Sequence, residues 1–233
     1  GYTFITGGSR TAFATGIAAI NAAEEVKGQM ISRAAKIWDT NEDDIEYVAG
    51  VVTHKSDEEL KFTFKDLARQ LATTGGSVSG RSNVDPTGEG NGYAVHLADV
   101  VVDPDTGKTD VTRFTAVQDA GKAVHPSYVE GQMQGGAVQG IGWALNEEYF
   151  FDDSGKMMNP TFLDYRMPTS LDLPMIDTVI VEVANPGHPY GVRGVGEAAI
   201  VPPMAAVGNA VSAATGNRMR SLPITPGKIL EAG

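Results

Sequence analysis

The chain has no cysteine among its 233 residues. That excludes a disulfide framework, a cysteine-ligated iron–sulfur cluster and a thiolate zinc site built from this chain. Positive charge is scarce: 18 Lys and Arg stand against 29 Asp and Glu, for a formal net charge of −11. A basic footprint for DNA or RNA is therefore missing. No apolar run approaches the length of a membrane span, because the most apolar stretch, Ala198 to Val207, is broken by Pro202 and Pro203. No signal peptide is visible. A cysteine-free chain is compatible with a reducing cytosol, so the expected location is cytoplasmic. The first residues are Gly-Tyr-Thr with no initiator Met, which fits a fragment, a processed subunit or a trimmed chain.

What is present describes a folded globular protein: 42% hydrophobic and 20% charged residues, with length for one large domain or two small ones. Apolar residues at helical spacing predict a helix from Thr15 to Trp38. Glu46 to His54 reads as a strand. Thr63-Phe64-Lys65-Asp66 resembles a capping arrangement before a short helix reaching Ala72. Thr73 to Asn91, rich in Gly, Ser and Thr, reads as a long loop and a seam between subdomains. Strands are expected at Tyr93 to Val102 and Thr109 to Asp119, joined by a turn at Asp103 to Gly107. A helix follows from Pro126 to Glu147, then a hairpin-like unit from Glu148 to Met158 and a strand from Ile176 to Ala184. The last long helix begins near Pro202, with Met204, Val207, Gly208, Val211 and Ala214 as its buried stripe and Gly216 as its cap. Hairpins followed by helices, twice over, predict an α+β fold of two-layer α/β sandwich-like subdomains with an internal duplication.

Two places carry more glycine than folding alone asks for. Four glycines lie in the ten residues before Glu197. A carboxylate helped only by a following helix start gains about 0.3–1 kcal/mol, which does not account for them. Glycine lets backbone approach a ligand closely, so the loop reads as a device that holds one acid beside something bulky. The second place is the Pro126 helix, with Gly131, Gly135, Gly136, Gly140 and Gly142 in or near it. Five interior glycines would cost about 4–5 kcal/mol relative to alanine. Either a neighbouring backbone packs closely there or a ligand does. Gln132 and Gln139, seven apart, share a face. Gly7-Gly8-Ser9-Arg10-Thr11 precedes a helix, where free N–H groups cap or bind an anion, and it is not a P-loop. The four histidines lack metal-ligand spacing and read as surface or loop residues, with no metal ligand expected from protein.

Taken in order along the chain, these motifs resemble the C-terminal part of the molybdopterin-binding subunit of the molybdenum hydroxylases, the xanthine dehydrogenase and aldehyde oxidase family. The carrying residues are Gly8-Ser9-Arg10-Thr11, Asp119-Ala120-Gly121, the stretch from Gly131 to Gly142, Asn159 to Pro174, Gly194-Val195-Gly196-Glu197 and Leu222 to Pro226. The likeness covers essentially the whole chain, 1–233, as one C-terminal molybdopterin-binding domain.

The resemblance implies that the cofactor is molybdopterin, in simple or dinucleotide form, with molybdenum held by the pterin dithiolene. It implies that Glu197 is the general base, taking the proton of a molybdenum-bound hydroxyl that attacks a substrate carbon. Gln132 would bond near the dithiolene, Gly8, Ser9, Arg10 and Thr11 would meet the pterin or its phosphate, and Gly194, Val195 and Gly196 would lie close to the metal centre. Substrates implied are an aldehyde or an N-heteroaromatic carbon. Iron–sulfur and FAD groups would sit on partner domains or subunits, and a first cofactor-binding half, absent here, would complete the site. The chain alone is then expected to be inactive and part of a hetero-oligomer. Alternatives are a non-catalytic pterin-binding or assembly module, or the corresponding part of a carbon monoxide dehydrogenase or aromatic thioester reductase. Glu197, Gln132 and Gly8 to Thr11 should border one groove, and an apolar surface should await the missing half.

Overall fold

The structure is a computed structural model that describes residues 5–85 and 91–233. The chain divides into two compact units, one formed by 14–87 and the other by 1–13 with 88–233. The expected seam at 73–91 takes in 86–90, which lie outside the described residues.

In the first unit a long helix, α1 (Gly16–Trp38), packs on an antiparallel sheet of β1 (Ile45–Val48), β2 (Val51–His54) and β3 (Asp57–Thr63). The one strand expected at Glu46 to His54 is two. Ala49 and Gly50 both take positive φ, 50° and 82°, the geometry of a tight hairpin turn. Alanine seldom adopts it, so the residue type concealed the turn. β3 follows unforeseen, because Asp57-Glu58-Glu59 carries no strand propensity. Thr63 then caps α2 (Phe64–Arg69) by accepting from Asp66 N, and α3 (Leu71–Thr74) follows. Met30, Ala34, Ile45, Val52 and Leu67 form the core of this unit.

The second unit carries the candidate site. β4 (Tyr93–Val102) and β5 (Thr109–Asp119) form an antiparallel pair with the expected bounds. β6 (Ile176–Val181) adds to β5 in parallel. A parallel neighbour needs a crossover, and α4 (Pro126–Leu145) with the arm 146–175 supplies it. α5 (Pro203–Thr215) and α6 (Pro226–Ala232) complete the unit. Phe114, Ala116, Met133, Ala137, Ile141, Val207 and Val211 fill the core between sheet and helices. Both units are thus helix-on-sheet α+β layers, while their topologies differ: one sheet is antiparallel throughout and the other mixed.

Ala198–Thr215 has the length and apolarity of a marginal membrane span. Pro202 and Pro203 split it into a single 3₁₀ turn, Ala198–Ile200, and α5. Pro203, Val207 and Val211 are buried, whereas Ala214, expected on that stripe, is exposed.

Candidate functional site

Three of the five helix glycines answer to packing. A Cβ on Gly136 would stand 2.6 Å from the Ala199 Cβ, and one on Gly140 2.7 Å from Pro203. One on Gly142 would meet Pro168 at 2.8 Å. The turn before α5 and the arm after α4 therefore lie directly on the helix backbone. Gly131 and Gly135 differ: a Cβ there would meet nothing within 4 Å. They share one exposed face with Tyr128, Gln132 and Gln139. Packing thus accounts for three of the five glycines, and it does not account for Gly131 and Gly135 among the described residues.

The loop before Glu197 is tied to the sheet at its start. Gly121 takes φ +62° and bridges to Val192, while Arg193 N donates to Ala120 O. A Cβ on Gly121 would stand 2.8 Å from Arg193 N, so only glycine admits this approach. Arg193 Nε lies 3.2 Å from Asp119 Oδ2, with side chains only 13% and 11% exposed. Asp119 Oδ1 also accepts from Gly121 N and Val183 N. Upstream, buried Asn185 closes the turn by accepting from Gly187 N and donating to Val192 O.

His188 lies in a loop, as expected, but is buried, and His96 is neither surface nor loop but buried in β4. His188 Nδ1 accepts from Tyr190 N, so Nε2 carries the proton and donates to Phe13 O at 3.1 Å. Its ring also rests against that of Phe13. This fastens the segment after Ser9 to the Glu197 loop. His96 packs edge-on against Phe114, and burial lowers its pKa to about 4.

Of the sequence-predicted residues, Gly8, Ser9 and Gln132 lie around Gly196 and Glu197. Its backbone N–H donates to Ser9 Oγ at 2.9 Å, across 188 positions. Gly8 takes φ +66° and Ser9 +52°, and the Cβ position of Gly8 is 4.0 Å from Glu197 Oε2. The Cβ position of Gly196 is 2.8 Å from Gln132 Oε1 and 3.6 Å from Ser9 Oγ, so a side chain there would displace the glutamine. Gln132 is exposed, and its amide makes no hydrogen bond among the described residues. Arg10 and Thr11 follow along the chain, Thr11 opening a turn of π-helix that leads into α1, and neither side chain is bonded among the described residues. Glu197 is exposed and does not cap the turn that follows it.

Sequence reasoning missed Gln118. It is wholly buried at the end of β5, and its Nε2 donates to Val195 O at 2.9 Å and Gly194 O at 3.5 Å. Its place on the inward face was legible from strand alternation, but nothing in the sequence named its partners.

A family model described as a molybdopterin cofactor-binding domain matches residues 1–174. The putative xanthine dehydrogenase molybdenum-binding subunit of Escherichia coli K12 is 35% identical over 228 residues, covering 96% of this chain and 30% of that protein. Quinoline 2-oxidoreductase from Pseudomonas putida 86 superposes with a TM-score of 0.85 at 31% identity, over 96% of this chain and 30% of that one. Reconstituted CO dehydrogenase from Oligotropha carboxidovorans superposes at 0.84 with 26% identity, over 99% and 29%. The chain thus spans about 30% of the length of the curated relatives named here.

Proposed function

This chain belongs to the family of molybdopterin cofactor-binding domains, the molybdenum hydroxylases among them, and from that premise we propose that it forms one side of a molybdopterin site and presents Glu197 there as general base. The reaction is a water-derived hydroxylation of an aldehyde or N-heteroaromatic carbon. The observation that carries this reading is the convergence of Ser9 and Gln132, from two distant segments, on the Gly196–Glu197 segment.

The residues fit the cofactor. Gly131 and Gly135 forgo helix propensity on a face with no protein contact to require it, which suits a ligand lying close to the helix backbone. Gln132 sits between them, its donor and acceptor unbonded among the described residues. Among the described residues no group of three His, Cys, Asp or Glu could hold a metal ion. Gln132, the Gly8 to Thr11 turn and Gly194 to Gly196 would hold the cofactor. When bound, it supplies the two-electron oxidation and the activation of a water-derived oxygen.

Glu197 accepts the proton. Its backbone is fixed by Ser9 ahead of it and by Gln118 beneath the residues before it. Fixed geometry matters because a general base must stand within hydrogen-bond reach of the proton it takes. The side chain is exposed here, and exclusion of water falls to a partner half. The outer face of the second sheet offers that half a docking surface: Tyr93, Val95, Leu97 and Val179 are exposed there, 47–64% each, and clustered exposed apolar side chains mark interaction surfaces. The chain by itself is not expected to turn over substrate, and electrons would leave through iron–sulfur and flavin groups on partners.

The test is Glu197→Gln in the native complex, assayed with benzaldehyde and with purine against a dye acceptor. Loss of about 10²–10⁴ in turnover with molybdenum content unchanged supports the base. Full retained activity would mean a binding or assembly module instead.

A further inference from the structure

We propose that Gln118 is a positioning residue for Glu197: its buried amide grips the Gly194 and Val195 carbonyls and so sets where the carboxylate stands. This rests on the reading of Glu197 as the base.

The argument begins with cost. Gln118 is fully buried on the core face of β5, between positions held by Ala116 and Ala120. A buried amide must have its polar atoms bonded or it destabilises the fold. No protein group among the described residues donates to Gln118 Oε1. Among the described residues, the two loop carbonyls are the only acceptors of its Nε2. The side chain therefore belongs to no core polar network, and its whole hydrogen-bonding role is toward the loop. The orientation of the amide is also determined, since Oε1 turned toward Val195 O would set two acceptors against each other.

Geometry gives that grip its consequence. Val195 is two residues before Glu197, and Gly194 and Gly196 leave the intervening backbone free to swing. Asp119, next along β5, fixes the loop at Arg193. Ser9 fixes it at the Glu197 amide. Between those ties, Gln118 supplies the side-chain hydrogen bonds described to the 194 and 195 carbonyls, one to each. Without them Val195, flanked by two glycines, keeps only its side-chain packing on the core, and its backbone is free to rotate beside the base. A displacement of about 1 Å at a reacting group is enough to cost up to about a hundredfold in rate.

Three variants of the native complex test this. Gln118→Leu removes the donor and keeps an apolar core of similar volume. Amide exchange in peptides spanning 191–198 should rise about tenfold, the worth of a lost buried hydrogen bond, with exchange in α4 and α5 and molybdenum content unchanged. Turnover should fall about tenfold or more with KM little altered. Gln118→Glu restores an O–H donor while protonated, and burial holds such a carboxyl neutral well above the usual range. Its activity should match wild type at acid pH and fall as it ionises against the two carbonyls, an alkaline limb absent from wild type. Gln118→Leu added to Glu197→Gln should cost nothing further, since the base it places is already gone.

Unchanged exchange in 191–198, or an additive loss in the double variant, overturns the proposal. If Gln118→Leu does not accumulate, the pH profile of Gln118→Glu decides: no alkaline loss overturns it. Faster loop exchange in Gln118→Leu together with a fully active Glu197→Gln would show that the grip is real and that the base assignment is the part at fault.

Discussion

Ser9 Oγ accepts the backbone N–H of Glu197 at 2.9 Å, joining positions 188 residues apart in the chain. Ser9 holds φ +52° to do so, a conformation costly for any residue but glycine. A serine at such a position is kept for its hydroxyl.

Ser9→Gly therefore separates the two properties. It relieves the backbone and deletes only the acceptor. The native complex should lose about fivefold in turnover, the worth of a net hydrogen bond near 1 kcal/mol, with thermal stability unchanged or raised. Wild-type turnover in this variant would show that the hydroxyl does not place Glu197.

The glycines of α4 should divide by substitution. Gly136→Ala and Gly140→Ala put a methyl against Ala199 and Pro203 at 2.6–2.7 Å and should lower the melting temperature. Gly131→Ala and Gly135→Ala meet open space. Each should gain about 0.8–1 kcal/mol of helix propensity and raise the midpoint of the isolated chain by roughly 2–4 °C. The same two changes should reduce molybdenum retained by the complex. Stabilisation with undiminished molybdenum would place the cofactor elsewhere.

The Asp119–Arg193 pair is nearly buried, and Asp119 holds two backbone amides besides. Asp119→Ala leaves the Arg193 charge with only the Val183 and Asn91 carbonyls as partners among the described residues and strands both N–H groups, and should cost about 3–5 kcal/mol, read as a lower denaturation midpoint. Arg193→Ala leaves Asp119 with its two amide donors and should cost less. Equal losses in the two variants would contradict this division of work.

His96 gives the fold a pH dependence. Burial lowers its folded-state pKa to about 4 from an ordinary 6.5. Above pH 6.5 both states are neutral and the residue contributes no slope. Between 6.5 and 4 the unfolded chain takes a proton that the folded chain refuses, so stability falls as pH falls, by up to about 3 kcal/mol. His96→Leu should flatten urea midpoints across that window. An unchanged slope would assign the acid sensitivity to other groups.

The elements of the second unit were legible because their signals are local. The Asp103 to Gly107 turn fixes a hairpin, so β4 and β5 fall where the alternation puts them. Pro126 and Gly216 mark helix ends in the same way. What failed was non-local or atypical in residue type: Ala49 at positive φ, and β3, held by its pairing with β2. Within the site, Ser9, Gln132 and Glu197 stood out through the glycines around them. Gln118 and Arg193 did not. Their importance lies in bonds across 76 and 77 residues for Gln118, and in an ion pair with Asp119 for Arg193. No periodicity reports such pairings.

The most direct measurement is the molybdenum and pterin content of the native complex isolated through this chain, with the masses of its subunits. One molybdenum per chain, in a complex that also contains the remaining cofactor-binding half, is the predicted result. A chain recovered free of molybdenum and pterin from cells replete in the metal would contradict the account at its centre.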